Sequence, residues 1–391
     1  MTDDRPVLTL NAGSSSLKFA LFGAAAAQPD LSGLVDRIGG EAVVRVKGAD
    51  GRLLADRALT GDERDGHPGA ARAVLALLEA LAPGQSPAAV GHRIVHGGPD
   101  LTAPTELTDA VLARLAALSP FAPLHQPHNL TGVAAARSAF PQAVQVGCFD
   151  TAFHRHHAFV EDAYALPRAY YDKGVRRYGF HGLSYDYIAG WLAENAPDLH
   201  RGRVVVAHLG NGASACAIQG GVSVGSTMGF SVLDGLAMGT RCGQLDPGVV
   251  LFLIEQEGKS GREVSDMLYR QSGLLGLSGL SNDMRHLEAA ATPEAGQAIA
   301  YFAHRLKREI AALAAVMGGL DGLIFTAGIG ENASRVRAAA CEGMGWMGIA
   351  LDPDRNAAHA TRIGAGPVQV LVVPTNEELV IARGARSVLK P

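Results

Sequence analysis

Cysteine is scarce in this sequence: only four occur among 391 residues. Cys148, Cys216, Cys242 and Cys341 form no C-x-x-C pair and no finger-like spacing. A disulfide framework and a structural zinc site are therefore excluded, and reduced thiols are expected. Cys242 lies in a Gly-rich polar stretch, where it reads as a small buried residue or as a thiol of interest. No apolar run approaches the ~20 residues of a membrane helix, so no membrane partner is expected. The first residues, Met1-Thr-Asp-Asp-Arg-Pro, lack the basic-then-apolar order of a secretory leader. A cytoplasmic protein is the expectation. Charge is sparse as well, at 18%, with a net value of -4. That balance offers nucleic acid no basic surface, and any anion site has to be assembled locally.

What is present describes a folded α/β protein. A hydrophobic content of 48% supports a core, and the length predicts two domains. Residues 7–10 are β-type, enter the turn Asn11-Ala-Gly-Ser-Ser-Ser, and leave it as a second strand-like run over 17–22 that carries Lys18. Gly13, the three serines and Lys18 can cradle an anion; a polar hairpin tip is the other reading. A meander is expected over 23–66. Helical spacing follows at 70–81, 107–118 and 130–139, with a Pro-punctuated loop at 121–129, and strand-like runs occur at 89–95 and 143–149. Residues 151–178 lack periodicity and read as connecting loop.

The opening theme then returns. Residues 204–209, the turn Gly210-Asn211-Gly212 and residues 213–219 repeat a strand, a small-residue turn and a strand. The repeat suggests a duplicated α/β domain. Helices are expected over 185–194, 249–256, 262–271, 294–317 and 379–388, and strands over 320–325 and 368–373.

Polar residues gather just past the strands: Asn11, Arg93, Asp150, Asn211, the run Gly328 to Asn332, and Glu377 with Glu378. His181 and Arg241 sit in the Gly-flanked segments YGFHG and GTRCG. Two arginines, hard oxygen ligands and Gly-rich turns are the parts that phosphoryl transfer needs. Each has a plainer reading too. Arg93 can be a surface-strand arginine, Asp150 a helix cap, His181 a core histidine and GIGEN a strand-to-helix turn. Asp283 and Arg285 can be a local ion pair. His154, His156 and His157 read as a solvated loop, since no second cluster at metal-ligand spacing accompanies them.

The segments NAGSSSLKF, HRIVHGG, FDTAFH, YGFHGLS, HLGNGAS, GTRCGQLDPG, GIGEN and PTNEELVIAR, spread over residues 7–383, together resemble the acetate kinase family. The resemblance implies two duplicated ribonuclease H-like (actin-like ATPase) domains with an active-site cleft between them. The expected bounds are residues 1–150 and 151–378, with a closing helix over 379–391 packed back on the first domain. It implies reversible transfer of the ATP γ-phosphoryl group to acetate, giving acetyl phosphate and ADP, and a place in acetyl-CoA biosynthesis. Mg²⁺ (or Mn²⁺ in its place) and a cytoplasmic homodimer are implied as well.

By the same resemblance, Asn11 and Glu377 belong to the metal site and Lys18 to the nucleotide. Arg93 holds the acyl substrate, Asp150 is the essential aspartate, and His181 and Arg241 stabilise the transition state. The nucleotide segments are His208, Leu209, Gly210, Asn211 and Gly212; Asp283, Met284 and Arg285; and Gly328, Ile329, Gly330, Glu331 and Asn332. Val95, Leu124, Phe180 and Val232 border the acyl group. Val232 takes the place of a family proline, which opens propionate or butyrate as alternative acceptors. A non-catalytic nucleotide-binding protein of the same fold is a remoter alternative. Tyr185 stands where the family often has histidine, Gln126 where asparagine is common, and Cys242 and Gln244 where serine and aspartate are frequent. Acetate is ionised at neutral pH, as its acidity is close to that of a glutamate side chain, about 4.3. Asp150 is therefore expected to orient its neighbours rather than accept a proton, in a direct in-line transfer, with a covalent enzyme-phosphate as the lesser alternative.

Overall fold

The computed structural model of the chain describes residues 4–13, 16–24, 26–123 and 125–389. Residues 1–3 of the expected leaderless start, Ser14 and Ser15 of the opening turn, and Leu124 of the expected acyl wall lie outside the described residues. Two compact units divide the chain, one of residues 1–152 with 376–391 and one of residues 153–375. The divisions fall at 152/153 and 375/376 rather than at 150/151 and 378/379. Residues 376–378 go with the first unit because Glu377 begins the closing helix Glu377–Leu389.

The first unit is built on one sheet. Its strands are β1 (Val7–Ala12), β2 (Leu17–Phe22), β3 (Leu31–Asp36), β4 (Val43–Gly48), β5 (Leu53–Ala58), β6 (Ala89–Ile94), β7 (Thr105–Glu106) and β8 (Val144–Phe149). They lie in the order β5-β4-β3-β2-β1-β6-β8-β7. β1 to β5 form an antiparallel meander, while β6 runs parallel to β1 and β8 parallel to β6. The helices Gly66–Leu81 and Gln126–Ala139 bury Val74, Leu78 and Ala136 against Leu8, Leu10, Phe19 and Val44 of the sheet. The closing helix covers the opposite face, where Ala385 meets Val7, Ala89 and Val146. Gly91 makes that approach possible: a Cβ there would lie 2.6 Å from Ile381 Cγ2. Buried on both faces, β1 and β6 read as near-continuous apolar runs.

The second unit repeats the plan. Its strands are β9 (Arg203–Leu209), β10 (Ala213–Gln219), β11 (Val222–Ser226), β12 (Gly322–Thr326) and β13 (Gln369–Val372), in the order β11-β10-β9-β12-β13. Three antiparallel strands are followed by two parallel ones, the pattern of β3-β2-β1-β6-β8. The duplication suggested by the two strand-turn-strand passages is thus present in the topology. Helix Gly182–Asn195 packs Ile188 and Leu192 on one face of this sheet with Val204, Val206, Ile218 and Ile324. The long helix Pro293–Val316 buries Phe302, Leu306 and Ile310. Among the described residues no helix is long and apolar enough to cross a membrane.

Residues 151–178 differ from the expected loop. They contain the short helices Phe159–Asp162 and Arg168–Asp172, held by specific polar contacts rather than by an apolar stripe. Buried Asp162 accepts from Arg155 at 3.0 Å and from the Tyr171 hydroxyl at 3.1 Å. Of the three histidines expected to be solvated, only His156 is exposed. His154 is fully buried, with Nδ1 2.8 Å from Ser223 Oγ and Nε2 3.0 Å from the Phe180 carbonyl. His157 Nε2 shares the same serine at 2.8 Å. Among the described residues no group of His, Cys, Asp and Glu could hold a metal by itself.

Burial holds His92, His154 and His157 neutral, down to about 4, about 3 and about 4 respectively. An unfolded histidine titrates near 6.5. Below that pH the unfolded chain takes up protons that the folded chain refuses, so stability present at neutral pH is lost as the pH falls towards about 4. Thermal midpoints should therefore drop between about pH 7 and pH 4.5. His157→Gln, which keeps a polar partner for Ser223, should flatten the slope. An unchanged slope in that variant would move the acid sensitivity elsewhere.

Candidate active site

Parallel strands that end together bring the charged residues of the first unit to one place. Arg93 is the penultimate residue of β6 and pairs in register with Cys148 of β8, so Asp150 lies just beyond the end of the neighbouring strand. Asn11 stands near the end of β1, and Glu377 opens the closing helix. Arg93 Nε lies 3.1 Å from Asp150 Oδ1 and Nη2 2.7 Å from Oδ2, a two-point pair. Nη1 lies 3.5 Å from Asn11 Oδ1, and Nε 3.9 Å from a Glu377 oxygen. Burial works against the Arg93 charge, but the Asp150 and Glu377 carboxylates outweigh it and raise the guanidinium above its ordinary range. Asp150 is 1% exposed. It is therefore not a surface position, and removing its partner would cost about 3–5 kcal/mol.

The oxygens of Asn11, Asp150 and Glu377 are donors suited to a hard cation. They are too few to enclose one. That fits Mg²⁺, which keeps several waters and binds through one or two carboxylates plus phosphate oxygens. Lys18 lies directly opposite Asn11 across the β1–β2 hairpin. It lines a pocket of about 420 Å³ with Arg45, Lys47, Asn376 and Glu378. The opening turn is thus a hairpin, closed by Gly13 N–H donating to the Ser16 carbonyl at 2.8 Å. Val95 is buried.

In the second unit the β9–β10 turn collects the expected residues. Gly210 N–H donates to the Gly212 carbonyl at 3.0 Å, and the Asn211 carbonyl accepts from Gly239 N–H at 3.0 Å. A Cβ on Gly212 would lie 3.2 Å from Arg241 Nη2 and 3.4 Å from His181 Nε2. Both side chains therefore lean on this turn. Arg241 Nη1 is fixed by the Val232 carbonyl at 3.0 Å. His181 takes a left-handed backbone, φ 58° and ψ 23°, at the start of helix Gly182–Asn195. That conformation costs a residue with a Cβ about 1–3 kcal/mol and persists only where the surrounding structure holds it. Its ring stacks on His208 at 4.2 Å, and its Nδ1 is 2.8 Å from Ser214 Oγ. Phe180 and Val232 are buried beside these segments in the sequence.

Asp283 caps helix Met284–Ala290 and pairs with Arg285 at 2.6 Å, so the plain ion-pair reading describes its geometry in this structure. That guanidinium holds the Asp283 carboxyl down at about 2. The GIGEN segment is itself the helix Ala327–Asn332, not a turn before one. Burial pushes Glu331 up, and Asn332 Nδ2 donates back to the Gly328 carbonyl at 2.9 Å. Gly328 and Ile329 lie in the first turn of that helix. Leu209, Met284 and Gly330 are buried, so their part in any ligand site runs through backbone and packing.

Three positions escaped the sequence reading. Asn129 joins the ends of β1 and β6, accepting from Val95 N–H and donating to the Ala12 carbonyl, both at 3.0 Å. Ser214 is a hydroxyl residue in the buried, otherwise apolar part of its strand, residues 213–218, the one signal that could have marked it. Arg337 is fully buried. It donates to the carbonyls of Gly330, Glu331 and Asn356 and to Asn356 Oδ1, at 2.8–2.9 Å. Its cation thus caps the C-terminal end of the GIGEN helix, while burial lowers its proton affinity.

The acetokinase family model matches residues 6–383. An acetate kinase of Methylocella silvestris is 52% identical over 396 residues, covering 98% of each chain. That of Deinococcus radiodurans is 46% identical, covering 96% of each. Among solved structures, the Porphyromonas gingivalis acetate kinase aligns with a TM-score of 0.89 at 37% identity, covering 99% of this chain and 100% of its own. A propionate kinase of Francisella tularensis aligns with a TM-score of 0.91 at 34% identity, covering 98% and 99%.

Arg337→Met should lower the thermal midpoint, since each buried carbonyl left without a donor costs about 1–3 kcal/mol. Amide exchange should speed up across residues 327–332 more than in β9 or β12. Uniform acceleration across the unit would show that Arg337 serves the core in general and not this helix.

Proposed function

This chain belongs to the acetokinase family, and from that premise we propose that it transfers the γ-phosphoryl group of ATP reversibly to acetate by direct in-line displacement. Membership makes it a phosphotransferase with a carboxyl-group acceptor. Its two sheets are the duplicated ribonuclease H-like, actin-like domains of these kinases. The observation that carries the mechanism is the Arg93 constellation, in which one guanidinium meets Asp150, Asn11 and Glu377 at neighbouring strand ends.

A carboxylate oxygen of acetate attacks the γ-phosphorus. The new C–O–P linkage forms as the bond to the bridging oxygen breaks, and its electron pair leaves on the β-phosphate of ADP. No proton has to move. Both Asp150 oxygens are engaged by Arg93, which supports Asp150 as the orienter of that arginine rather than as a base. Arg93 is assigned the acetate carboxylate. His181 and Arg241 are assigned the charge that develops on the transferred phosphoryl oxygens. Asn11 and Glu377 are assigned Mg²⁺, with Mn²⁺ as a chemical substitute. When bound, the ion neutralises part of the charge on the phosphate oxygens. Lys18, His208 to Gly212, Asp283 to Arg285 and Gly328 to Asn332 are assigned the nucleotide. Val95, Leu124, Phe180 and Val232 are assigned the methyl group.

Propionate is the second reading, favoured by the likeness to the Francisella tularensis propionate kinase and by Val232. One methylene is worth only about 1–3 kcal/mol in an apolar pocket. We also assign the protein to the cytoplasm and to a homodimer. Helix Pro247–Glu255 has no buried residue. It exposes Val249, Leu251, Phe252 and Ile254 by 40%, 55%, 53% and 41%. An isolated apolar patch of this kind marks a protein interface, and a second copy meeting it about a two-fold axis would cover it.

With hydroxylamine as trap, ATP and Mg²⁺ should yield acyl hydroxamate from acetate, with a lower kcat/KM for propionate. No hydroxamate from acetate, propionate or butyrate would sink the kinase reading, and a higher kcat/KM for propionate would replace acetate as the acceptor. Arg241→Ala should lower kcat by about 10²–10³-fold in a protein that melts normally. A near-normal kcat would remove Arg241 from the transition state. Phe252→Glu should halve the mass seen by sedimentation; an unchanged mass would place the interface elsewhere.

A further inference from the structure

We propose that Tyr185 and Ser214 are positioning residues that fix His181 in its Nε2–H tautomer, so that it acts as a neutral hydrogen-bond donor. The inference rests on the phosphotransfer role assigned to His181 and goes beyond it, to the protonation state in which the ring works and the residues that impose it.

The argument is a count of protons. Tyr185 and Ser214 are both fully buried. The Tyr185 hydroxyl forms a short hydrogen bond with Ser214 Oγ, and the same oxygen is 2.8 Å from His181 Nδ1. A buried phenol has one proton to place, and burial pushes its release to far higher pH than usual. Its acceptor is Ser214 Oγ. The serine has one proton of its own and two neighbours. Tyr185 is already donating, so the serine donates to Nδ1. With Nδ1 accepting, the neutral ring carries its proton on Nε2. In the opposite order Nδ1–H donates to the serine and the serine to the phenol oxygen, which leaves the Tyr185 hydroxyl proton buried with no acceptor among the described residues, a costly state.

The surroundings favour the same answer. Nε2 and Arg241 Nη2 face the same Gly212 turn. An imidazolium would therefore stand beside a permanent cation. It would also lie against the His208 ring, stacked at 4.2 Å, whose own Nδ1 is tied to Ser184 Oγ at 2.8 Å. A neutral ring avoids the repulsion from Arg241 and still presents an N–H. The Tyr185 hydroxyl brings its own proton and has no acceptor but the serine among the described residues, so it sets the direction of the relay.

The test uses the full-length protein, deuterated and ¹⁵N-labelled at histidine, without substrate. His181 is assigned by the signals lost in His181→Gln. Its spectrum should show an unprotonated Nδ1 and a protonated Nε2. Tyr185→Phe keeps the ring packing and removes only the donor. It should show both tautomers and lose about tenfold in kcat, because a mis-set donor no longer meets the developing charge. KM for both substrates should stay within about twofold, since the ring is assigned to the transition state. Ser214→Ala should lose the tautomer preference as well. A protonated Nδ1 in the unaltered protein, or an unchanged tautomer in Tyr185→Phe, overturns the relay. A shifted tautomer with unchanged kcat overturns its bearing on the reaction. The spectra are read without turnover, so failure of every acid in the hydroxamate trap would sink the kinase reading and leave the relay to be judged separately.

Discussion

The guanidinium of Arg93 is the charge on which the arrangement of the first unit depends. A carboxylate as buried as that of Asp150 is not stable in a protein interior without a partner. The sheet supplies one through order alone. Because β6 and β8 run parallel and in register, Arg93 and Asp150 reach the same end of the sheet from segments more than fifty residues apart. Asn11 arrives by the same rule from β1, and Glu377 arrives on the helix that covers the other face. One cation thus gathers three oxygen-bearing side chains. Its two-point pair engages both oxygens of Asp150 and holds that carboxylate in one orientation.

The second unit uses the same topology for different ends. Its first hairpin carries a three-residue turn, Gly210-Asn211-Gly212, whose smallness lets His181 and Arg241 lie close to the backbone. His181 is held in a strained left-handed conformation by the helix that begins beside it. That strain is offset by the core beneath, where Tyr185 and Ile188 of the same helix are fully buried. Duplication of a sheet order therefore did not impose duplication of chemistry. The strands fix where polar residues can stand, and the turn residues decide what they do.

What was legible in the sequence follows from which forces leave a pattern. Most strands of both sheets showed, because alternation and apolar runs are local signals; the two-residue β7 is too short to leave one. The repeated strand-turn-strand showed because small residues mark tight turns. The ordering of residues 151–178 did not show, because it rests on the distant pairing of His154 and His157 with Ser223 and on polar pairs without periodicity, Arg155 with Asp162 and the Tyr178 carbonyl. Asn129 and Arg337 were silent for a related reason. Most of what they bind is backbone carbonyl and amide, which any sequence provides. Departures from the family pattern were visible as letters but not as roles. Gln126 clasps the His96 peptide, accepting from its N–H at 3.2 Å and donating to its carbonyl at 3.0 Å. Gln244 offers Arg305 a neutral oxygen where an aspartate would make an ion pair.

Val232 shows why such departures can accumulate without loss of the reaction. Its carbonyl is the acceptor that fixes Arg241, while its side chain is the part assigned to the acyl group. These are separate atoms with separate tasks. Proline and valine present the same carbonyl but different surfaces, so an exchange between them alters the apolar wall and leaves the arginine its support. A change that moved the backbone at this position would disturb both at once. A side-chain exchange at position 232 therefore leaves the backbone support of Arg241 in place.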